Sequence, residues 1–199
     1  MKIKSICVFC GSSTGKDPAY MDEAKSLGKE IARRNLAMVY GGGNTGLMGA
    51  AGGACLAAGG RVEGVIPEAL YNENLGQDTL TKLHVVGSMH ERKALMAELS
   101  DAFIALPGGF GTFEEFFEVL TWAQLGIHIK PCGLLNVHGY YDGLLAFLDH
   151  AAGEGFIYSS HHQLIHTSKK PAELVGKLMD AKPVRQDKAD WLRHMTESS

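Results

Sequence analysis

Short apolar runs alternate along the chain with longer segments of mixed polar and apolar positions. Residues 3–10 form the first apolar run, which ends in Gly11-Ser12-Ser13. Short continuous apolar runs bounded by turn residues are typical of buried strands. Similar runs predict further strands at residues 37–40, 61–66, 83–86, 102–106, 132–137 and 163–166.

Helices are predicted between these strands. Asp17 and Pro18 suit the N-cap and first position of a helix that runs to about Asn35. Further helices are predicted from about Gly46 and over residues 89–99, 112–125, 140–152 and 171–179. Strands separated by helices indicate a parallel sheet with helices on both faces. The predicted fold class is therefore α/β, a doubly wound parallel sheet.

The length of 199 residues fits a single domain, predicted over residues 1–181, followed by a polar C-terminal tail at residues 182–199. Residues 71–81 are polar and predict a long loop of the kind that often has a function. The ligand-binding edge of such a sheet lies outside the carboxyl ends of its strands. Glycine-rich turns follow Cys10, Tyr40 and Leu106, so all three are predicted at that edge.

Composition narrows the classes of partner and location. The formal net charge is −3, which argues against a general nucleic-acid surface. No apolar run approaches the ~20 residues of a membrane span, and residues 6–10 are too short for a signal peptide. We therefore expect a cytoplasmic protein with neither a membrane nor a nucleic acid as partner.

Cysteine and histidine usage predicts no metal site. Cys7 and Cys10 form a C-x-x-C, but residues three apart on a strand face opposite sides of a sheet. We interpret them as two small buried hydrophobic residues. The nine histidines include no H-E-x-x-H motif and no Cys/His cluster.

A glycine-rich loop follows the strand predicted at residues 102–106. It reads PGGFGT over residues 107–112 and precedes a predicted helix. Glycines let backbone N–H groups approach an anion, and a helix N-terminus adds about half a positive charge. A tight turn would need only two glycines, so the third glycine and the proline favour a phosphate-binding loop.

Two glutamates follow this loop. Thr112 and Glu115 fit a capping box, a structural role that would contribute about 1 kcal/mol. Alternatively, Glu115 is a carboxylate held beside a bound phosphate ester. The repulsion between these two anions is unfavourable unless the carboxylate has a function such as stabilising a developing cation. The spacing of these residues favours the capping role and the catalytic role equally.

Ser88 and Glu91 fit a second capping box. Arg92 and Lys93 then lie in the first turns of the helix, where cations oppose the helix dipole. A solvated charged turn is one interpretation. Two cations at the unfavourable end, near the predicted ligand-binding edge, favour an anionic ligand instead, and Arg92 can bind a phosphate or a base edge bidentately.

Residues 41–46 contain G-x-G-x-x-G between a strand and a helix, the pattern of dinucleotide-binding sites. Glu63 follows about 20 residues later, but inside the next predicted strand rather than at its end. The motif also does not follow the first strand of the chain. We therefore favour a second wall of one mononucleotide pocket over an NAD(P) site.

Two motifs together, MHERK at residues 89–93 and PGGFGTFEE at residues 107–115, resemble the LOG (Lonely Guy) family of cytokinin riboside 5′-monophosphate phosphoribohydrolases. The segments CGSS, YGGG, GLMG and TWAQLG, which begin at residues 10, 40, 46 and 121, are also similar to the family. The resemblance covers about residues 3–180. It implies a Rossmann-like fold, a homodimer, and Arg92 and Glu115 as catalytic residues by match to the family motifs.

The resemblance implies hydrolysis of the N-glycosidic bond of AMP or an N6-modified, cytokinin-type nucleoside 5′-monophosphate, without cofactor or metal. The products would be a free base and ribose 5-phosphate. Family members typically have Glu where this chain has Asn74, beside Glu73. Residues predicted to contact the substrate are Ser12, Gly43, Met89, Lys93, Gly108, Gly109, Phe110, Gly111, Thr112, Glu114 and Thr121.

Two other functions are weighed against this one. A non-catalytic nucleotide carrier or molybdenum-cofactor carrier of similar fold is the alternative, and the presence of both Arg92 and Glu115 favours the enzyme. Family members have also been labelled lysine decarboxylases. No sequence context in this chain supports a lysine that binds pyridoxal phosphate.

Overall fold

A computed structural model describes residues 2–73, 79–157 and 164–182 of the chain. These residues form one parallel sheet of seven strands in the order β4-β3-β2-β1-β5-β6-β7. The strands are β1 Ser5–Phe9, β2 Ala37–Tyr40, β3 Arg61–Pro67, β4 Lys82–Val86, β5 Ala102–Ala105, β6 Cys132–Leu135 and β7 Ile165–Ser168.

Helices connect the strands, as the alternating pattern predicts. They are α1 Pro18–Arg33, α2 Gly46–Ala57, α3 Glu68–Tyr71, α4 Met89–Glu98, α5 Phe110–Gln124, α6 Asp142–Gly153 and α7 Pro171–Asp180, with a 3₁₀ turn at Val137–Gly139. The last strand begins two residues later than predicted. The short helix α3 precedes the predicted loop at residues 71–81, of which residues 74–78, including Asn74, lie outside the described residues.

Two hydrophobic layers cover the faces of the sheet, so the predicted Rossmann-like α/β class is confirmed. One layer includes Leu27 of α1, Ala51 of α2 and Leu174 of α7. The other includes Met96, Phe116 and other residues of α4, α5 and α6. Close packing tightens the first layer, because a Cβ on Gly28 of α1 would lie 2.2 Å from the backbone oxygen of Ala51.

The cysteines lie where the strand period predicts. Cys7 is buried in one layer and Cys10 in the other, on opposite faces of β1. Within the described part of the chain all four cysteines are buried and none forms a disulfide. Burial raises the pKa of each thiol, and that of Cys55 reaches about 11, so these side chains act as small apolar residues.

The direction of winding reverses between β1 and β5. β1 pairs with β2 on one side and with β5 on the other, and both pairs are parallel. The loops after β1 and β5 are joined directly, since Gly11 N–H donates to Pro107 O at 3.1 Å. This switch point is where open α/β sheets bind ligands.

The helix caps confirm two predictions and correct a third. The Asp17 side chain accepts from Ala19 N–H, and the Ser88 hydroxyl accepts from Glu91 N–H, as predicted. However, α5 begins at Phe110 with Gly109 as its N-cap, so the capping box predicted for Thr112 and Glu115 is wrong. The helix begins two residues before the predicted start at residue 112, because Gly109 O accepts from Phe113 N–H and closes the first turn.

None of the helices in the described residues is long and apolar enough to span a membrane. The separate polar tail remains a prediction, because residues 183–199 lie outside the described residues.

Candidate active site

A cavity of about 290 Å³ opens at the switch point, above the carboxyl ends of β1 and β2 and beside the N-terminus of α5. It combines one largely buried cation, one largely buried carboxylate and a glycine-rich helix start. Its lining residues are Val8, Phe9, Cys10, Gly11, Ser12, Gly41, Met48, Arg92, Gly109, Phe110, Gly111, Thr112 and Glu115.

The start of α5 is built for an anion. The first N–H groups of a helix have no carbonyl partner within the helix, and here the residues that carry them, 109–112, line the cavity. Gly108 is required by the fold itself, because its Cβ would lie 2.1 Å from Thr112 Oγ1. Gly109 and Gly111 are not, since no described heavy atom lies within 4 Å of a Cβ at either position. Packing among the described residues therefore does not require glycine at these two positions, which line the cavity.

Backbone oxygens of β3 and of the residue after β2 hold Arg92. Its Nε donates to Val65 O at 3.2 Å and its Nη2 to Gly41 O at 3.4 Å. A Cβ on Gly41 would lie 1.9 Å from Nη2, so glycine is needed there to admit the guanidinium. Met89 supports the same group, with its sulfur 3.2 Å from Nη1.

Glu115 faces Arg92 from the first turns of α5. Arg92 Nη2 and Glu115 Oε1 lie 3.7 Å apart, and the two side chains are only 12% and 13% exposed. Burial raises the pKa of Glu115 to about 6, and the nearby Arg92 charge opposes that rise. At neutral pH the side chain is therefore a largely buried carboxylate, paired with its cation at a distance too long for a hydrogen bond.

The neighbouring residues form a second ion pair outside the cavity. Lys93 Nζ contacts the Glu114 carboxylate and lies 3.1 Å from Glu118 Oε1. These carboxylates raise the pKa of Lys93. In the structure the anions that Lys93 meets belong to α5, and its contact with an anionic ligand stays a prediction. Two adjacent ion pairs, Arg92 with Glu115 and Lys93 with Glu114, thus join α4 to α5.

The cavity contains some of the predicted substrate contacts and leaves others outside. Ser12 and residues 109–112 line it, and Gly108 lines an adjoining cavity. Five predicted residues line neither cavity: Gly43, Met89, Lys93, Glu114 and Thr121. Gly41 and Met48 line the first cavity although neither was predicted to contact the substrate, and both lie in segments similar to the LOG family.

The adjoining cavity, also about 290 Å³, lies on the other side of Gly109. Hydroxyl-bearing side chains dominate it, namely those of residues 12–14, Tyr20 and Tyr140. Tyr140 OH donates to Gly108 O at 2.5 Å, and Tyr141 OH donates to Leu106 O at 2.6 Å. No local sequence pattern indicates these contacts, since the tyrosines follow β6 and are far from the loop in sequence.

The G-x-G-x-x-G segment contributes Gly41 to the lining of the cavity, and its role in a mononucleotide pocket stays a prediction. Gly41 carries the Arg92 contact, and a Cβ on Gly46, which has φ +55°, would lie 2.2 Å from Ser12 O. Glu63 pairs with His84 on the adjacent strand at 3.0 Å. It is therefore engaged within the sheet and does not occupy the strand-end position of a ribose-binding acid.

Curated relatives resemble this chain over most of its length. It is 54% identical over 183 residues to the probable cytokinin riboside 5′-monophosphate phosphoribohydrolase LOGL9 of Oryza sativa subsp. japonica, covering 92% of this chain and 81% of the relative. It is 52% identical over 191 residues to cytokinin riboside 5′-monophosphate phosphoribohydrolase LOG4 of Arabidopsis thaliana, covering 96% and 89%.

Solved structures share the fold at lower identity. The molybdenum cofactor binding protein from Rippkaea orientalis matches with a TM-score of 0.67 and 25% identity, over 90% of this chain and 96% of that one. A family model described as "Possible lysine decarboxylase" matches residues 48–178. With the relatives above, this match establishes that the chain belongs to the LOG family, the cytokinin riboside 5′-monophosphate phosphoribohydrolases.

Proposed function

We propose that this protein hydrolyses the N-glycosidic bond of a purine nucleoside 5′-monophosphate and releases the free base and ribose 5-phosphate. The observation that carries the proposal is the buried Arg92–Glu115 pair in the same cavity as the open glycine-rich start of α5. Relatives about 50% identical, named for this activity, support it.

In the proposed complex the 5′-phosphate binds at the N-terminus of α5. Backbone N–H groups of residues 109–112 and the Ser12 hydroxyl are the donors, and the helix dipole adds favourable charge. The cavity contains Arg92 as its one cation among the described lining residues, so backbone donors carry much of the binding. This arrangement selects one phosphate group rather than a general polyanion.

Glu115 acts in cleavage of the glycosidic bond. As the bond from C1′ to the base breaks, positive charge develops on the ribose, and a buried carboxylate stabilises it or activates the attacking water. Water supplies a hydroxyl group to C1′, and the remaining proton of the water goes to the departing base nitrogen. Arg92 orients the nucleotide and assists departure of the base through its guanidinium donors.

The test is base release from matched substrates. The protein is incubated with AMP, isopentenyladenosine 5′-monophosphate and adenosine, and free base is measured by chromatography. We expect base from the monophosphates and none from adenosine, and the faster monophosphate identifies the preferred base. Absence of base from both monophosphates would overturn the proposal.

The structural neighbour named for molybdenum cofactor binding favours a carrier as the second candidate. A carrier would show ligand-induced stabilisation by AMP without turnover. NAD that raised the melting temperature more than AMP would instead favour a dinucleotide ligand. The decarboxylase description of the family model has less support, because no lysine is among the described residues that line either cavity.

We further propose a cytoplasmic homodimer. Support for the dimer comes from exposed apolar side chains at the end of α5, where Leu125 is 53% and Ile127 65% exposed. Side chains along α5 are only partly covered within one chain, among them Phe117 and Trp122. A monomer mass by light scattering at micromolar concentration would overturn the dimer.

A further inference from the structure

The carbonyl groups of the loop between β5 and α5 are all engaged. Leu106 O accepts from Tyr141 OH at 2.6 Å, and Pro107 O accepts from Gly11 N–H at 3.1 Å. Gly108 O accepts from Tyr140 OH at 2.5 Å. The next carbonyl, of Gly109, begins the hydrogen bonds of α5. The loop is therefore held by its acceptors and by Leu106 N–H, which donates to Phe9 O at 2.9 Å, and among its remaining donors is Gly109 N–H.

The hydrogen bond from Tyr140 determines the direction of one particular donor. In a planar trans peptide the C=O and N–H groups point in opposite directions. Gly108 O points to the Tyr140 hydroxyl in the adjoining cavity, so Gly109 N–H points away from that hydroxyl. A hydrogen bond to the carbonyl also polarises the peptide and strengthens its N–H as a donor.

Tyr140 is itself held firmly. Its ring packs edge-on against Tyr20, with 5.7 Å between centroids. The adjacent backbone is fixed by Asn136, whose Oδ1 accepts from Tyr141 N–H at 2.8 Å and whose Nδ2 donates to Asp142 Oδ1 at 2.7 Å. The preceding residue, Gly139, has φ +77°, and a Cβ there would lie 2.5 Å from Asp142 Oδ2. These contacts fix the position of the Tyr140 hydroxyl beside Gly108 O.

We propose that Tyr140 is a positioning residue for the 5′-phosphate, acting through Gly108 O to orient and strengthen the Gly109 N–H donor. The inference rests on the proposed function, because it assumes that the phosphate binds at the start of α5. Tyr140 does not touch the reacting atoms in this account. Its contribution is to phosphate affinity and not to the rate of bond cleavage.

Tyr141 makes a similar bond but has a different role. It is 1% exposed, and removing its hydroxyl would leave Leu106 O buried without that donor, which costs stability. Tyr140 is 38% exposed, so water can reach Gly108 O when the hydroxyl is lost and folding is little affected, but an untethered water does not fix the direction of the peptide as the hydroxyl does. A loss of phosphate affinity in a Tyr140 variant is therefore separable from unfolding.

The experiment compares Tyr140→Phe with Tyr20→Phe, which keeps the ring contact and all the loop hydrogen bonds described above. We expect Tyr140→Phe to raise KM for AMP about tenfold, equal to about 1.4 kcal/mol, with kcat within about twofold of wild type. Tyr20→Phe should leave both constants unchanged, and both variants should keep the wild-type melting temperature. An unchanged KM, or a loss confined to kcat, would overturn the proposal.

Direct binding separates this proposal from the proposed function. Calorimetric titrations of Glu115→Gln and of Glu115→Gln/Tyr140→Phe measure affinity for AMP and for adenosine without turnover. We expect the added Tyr140→Phe change to weaken the binding of AMP about tenfold and the binding of adenosine by less than twofold. Equal weakening of both ligands, or of neither, would refute the role of Tyr140. Failure of the wild type to release base would instead refute the enzymatic activity and leave this comparison valid.

Discussion

Arg92 and Glu115 face each other across the cavity with 3.7 Å between Nη2 and Oε1, a separation that permits attraction but no hydrogen bond. The carbonyls of Val65 and Gly41 hold the guanidinium in place, so Arg92 does not close on the carboxylate. The carboxylate therefore keeps accessible oxygens for a substrate, while the nearby cation favours its ionised form.

Glu115→Gln should reduce kcat for base release from AMP by about 100-fold or more, because a neutral amide cannot stabilise the developing cation. The helix cap should be unaffected, since Gly109 is the N-cap of α5. The measurement is kcat from chromatographic base release, with circular dichroism to verify the fold. The control is Glu114→Gln, which removes a carboxylate that points to Lys93 instead of the cavity.

Near-normal turnover in Glu115→Gln would mean that the residue has no chemical role. A larger loss in Glu114→Gln would show that the neighbouring carboxylate is the catalytic one.

Gly111→Ala should separate ligand binding from folding. A Cβ at Gly111 meets no described atom within 4 Å, and alanine is favoured over glycine in helices by up to about 1 kcal/mol. We therefore expect equal or greater stability to urea, with KM for AMP raised about tenfold because the methyl group enters the phosphate space. Phosphate bound elsewhere would leave KM unchanged.

Gly143→Ala is the matched control for this variant. Gly143 is also the second residue of its helix, α6, its Cβ would also meet no described atom within 4 Å, and it lines neither cavity. This change should affect stability in the same direction and leave KM at the wild-type value.

The raised pKa of Glu115 predicts a pH-dependent stability. Between its ordinary pKa of 4.5 and its value of about 6 in the folded protein, the folded state binds more protons than the unfolded state. The free energy of unfolding contributed by this group therefore falls as pH rises through that window. The free energy of unfolding, measured with urea, should therefore fall for wild type relative to Glu115→Gln by about 2 kcal/mol from pH 4 to pH 8. A constant difference would show that burial does not perturb the carboxyl.

Lys93→Met tests whether Lys93 binds substrate or joins two helices. Methionine keeps an apolar stem but removes the charge that pairs with Glu114 and Glu118. We expect lower stability to urea, because the variant leaves these carboxylates without their shared cation. KM for AMP should change by less than about twofold. A tenfold rise in KM at unchanged stability would support the prediction that Lys93 contacts the phosphate.

The amino-acid sequence alone determined the α/β class and the order of its elements. Apolar runs such as residues 37–40 and 102–106 identify the strands because their burial on both faces requires continuous hydrophobicity. The predicted bounds of β2 match the structure, and α1 begins at Pro18 as its N-cap pattern predicts. The motifs at residues 89–93 and 107–115 also identified the family, and they predict Arg92 and Glu115 as its catalytic pair.

Only the tertiary structure decided what each charged residue near the site faces. Arg92 and Lys93 are adjacent on α4, yet a rotation of about 100° per helical residue sends one into the cavity and the other to Glu114. The capping role of Glu115 depended on where α5 begins, which the loop geometry at Gly109 determines. Tyr140 reaches Gly108 across 32 residues of chain because β5 and β6 are neighbours in the sheet. Such contacts depend on the packing of distant segments, and local periodicity does not encode them.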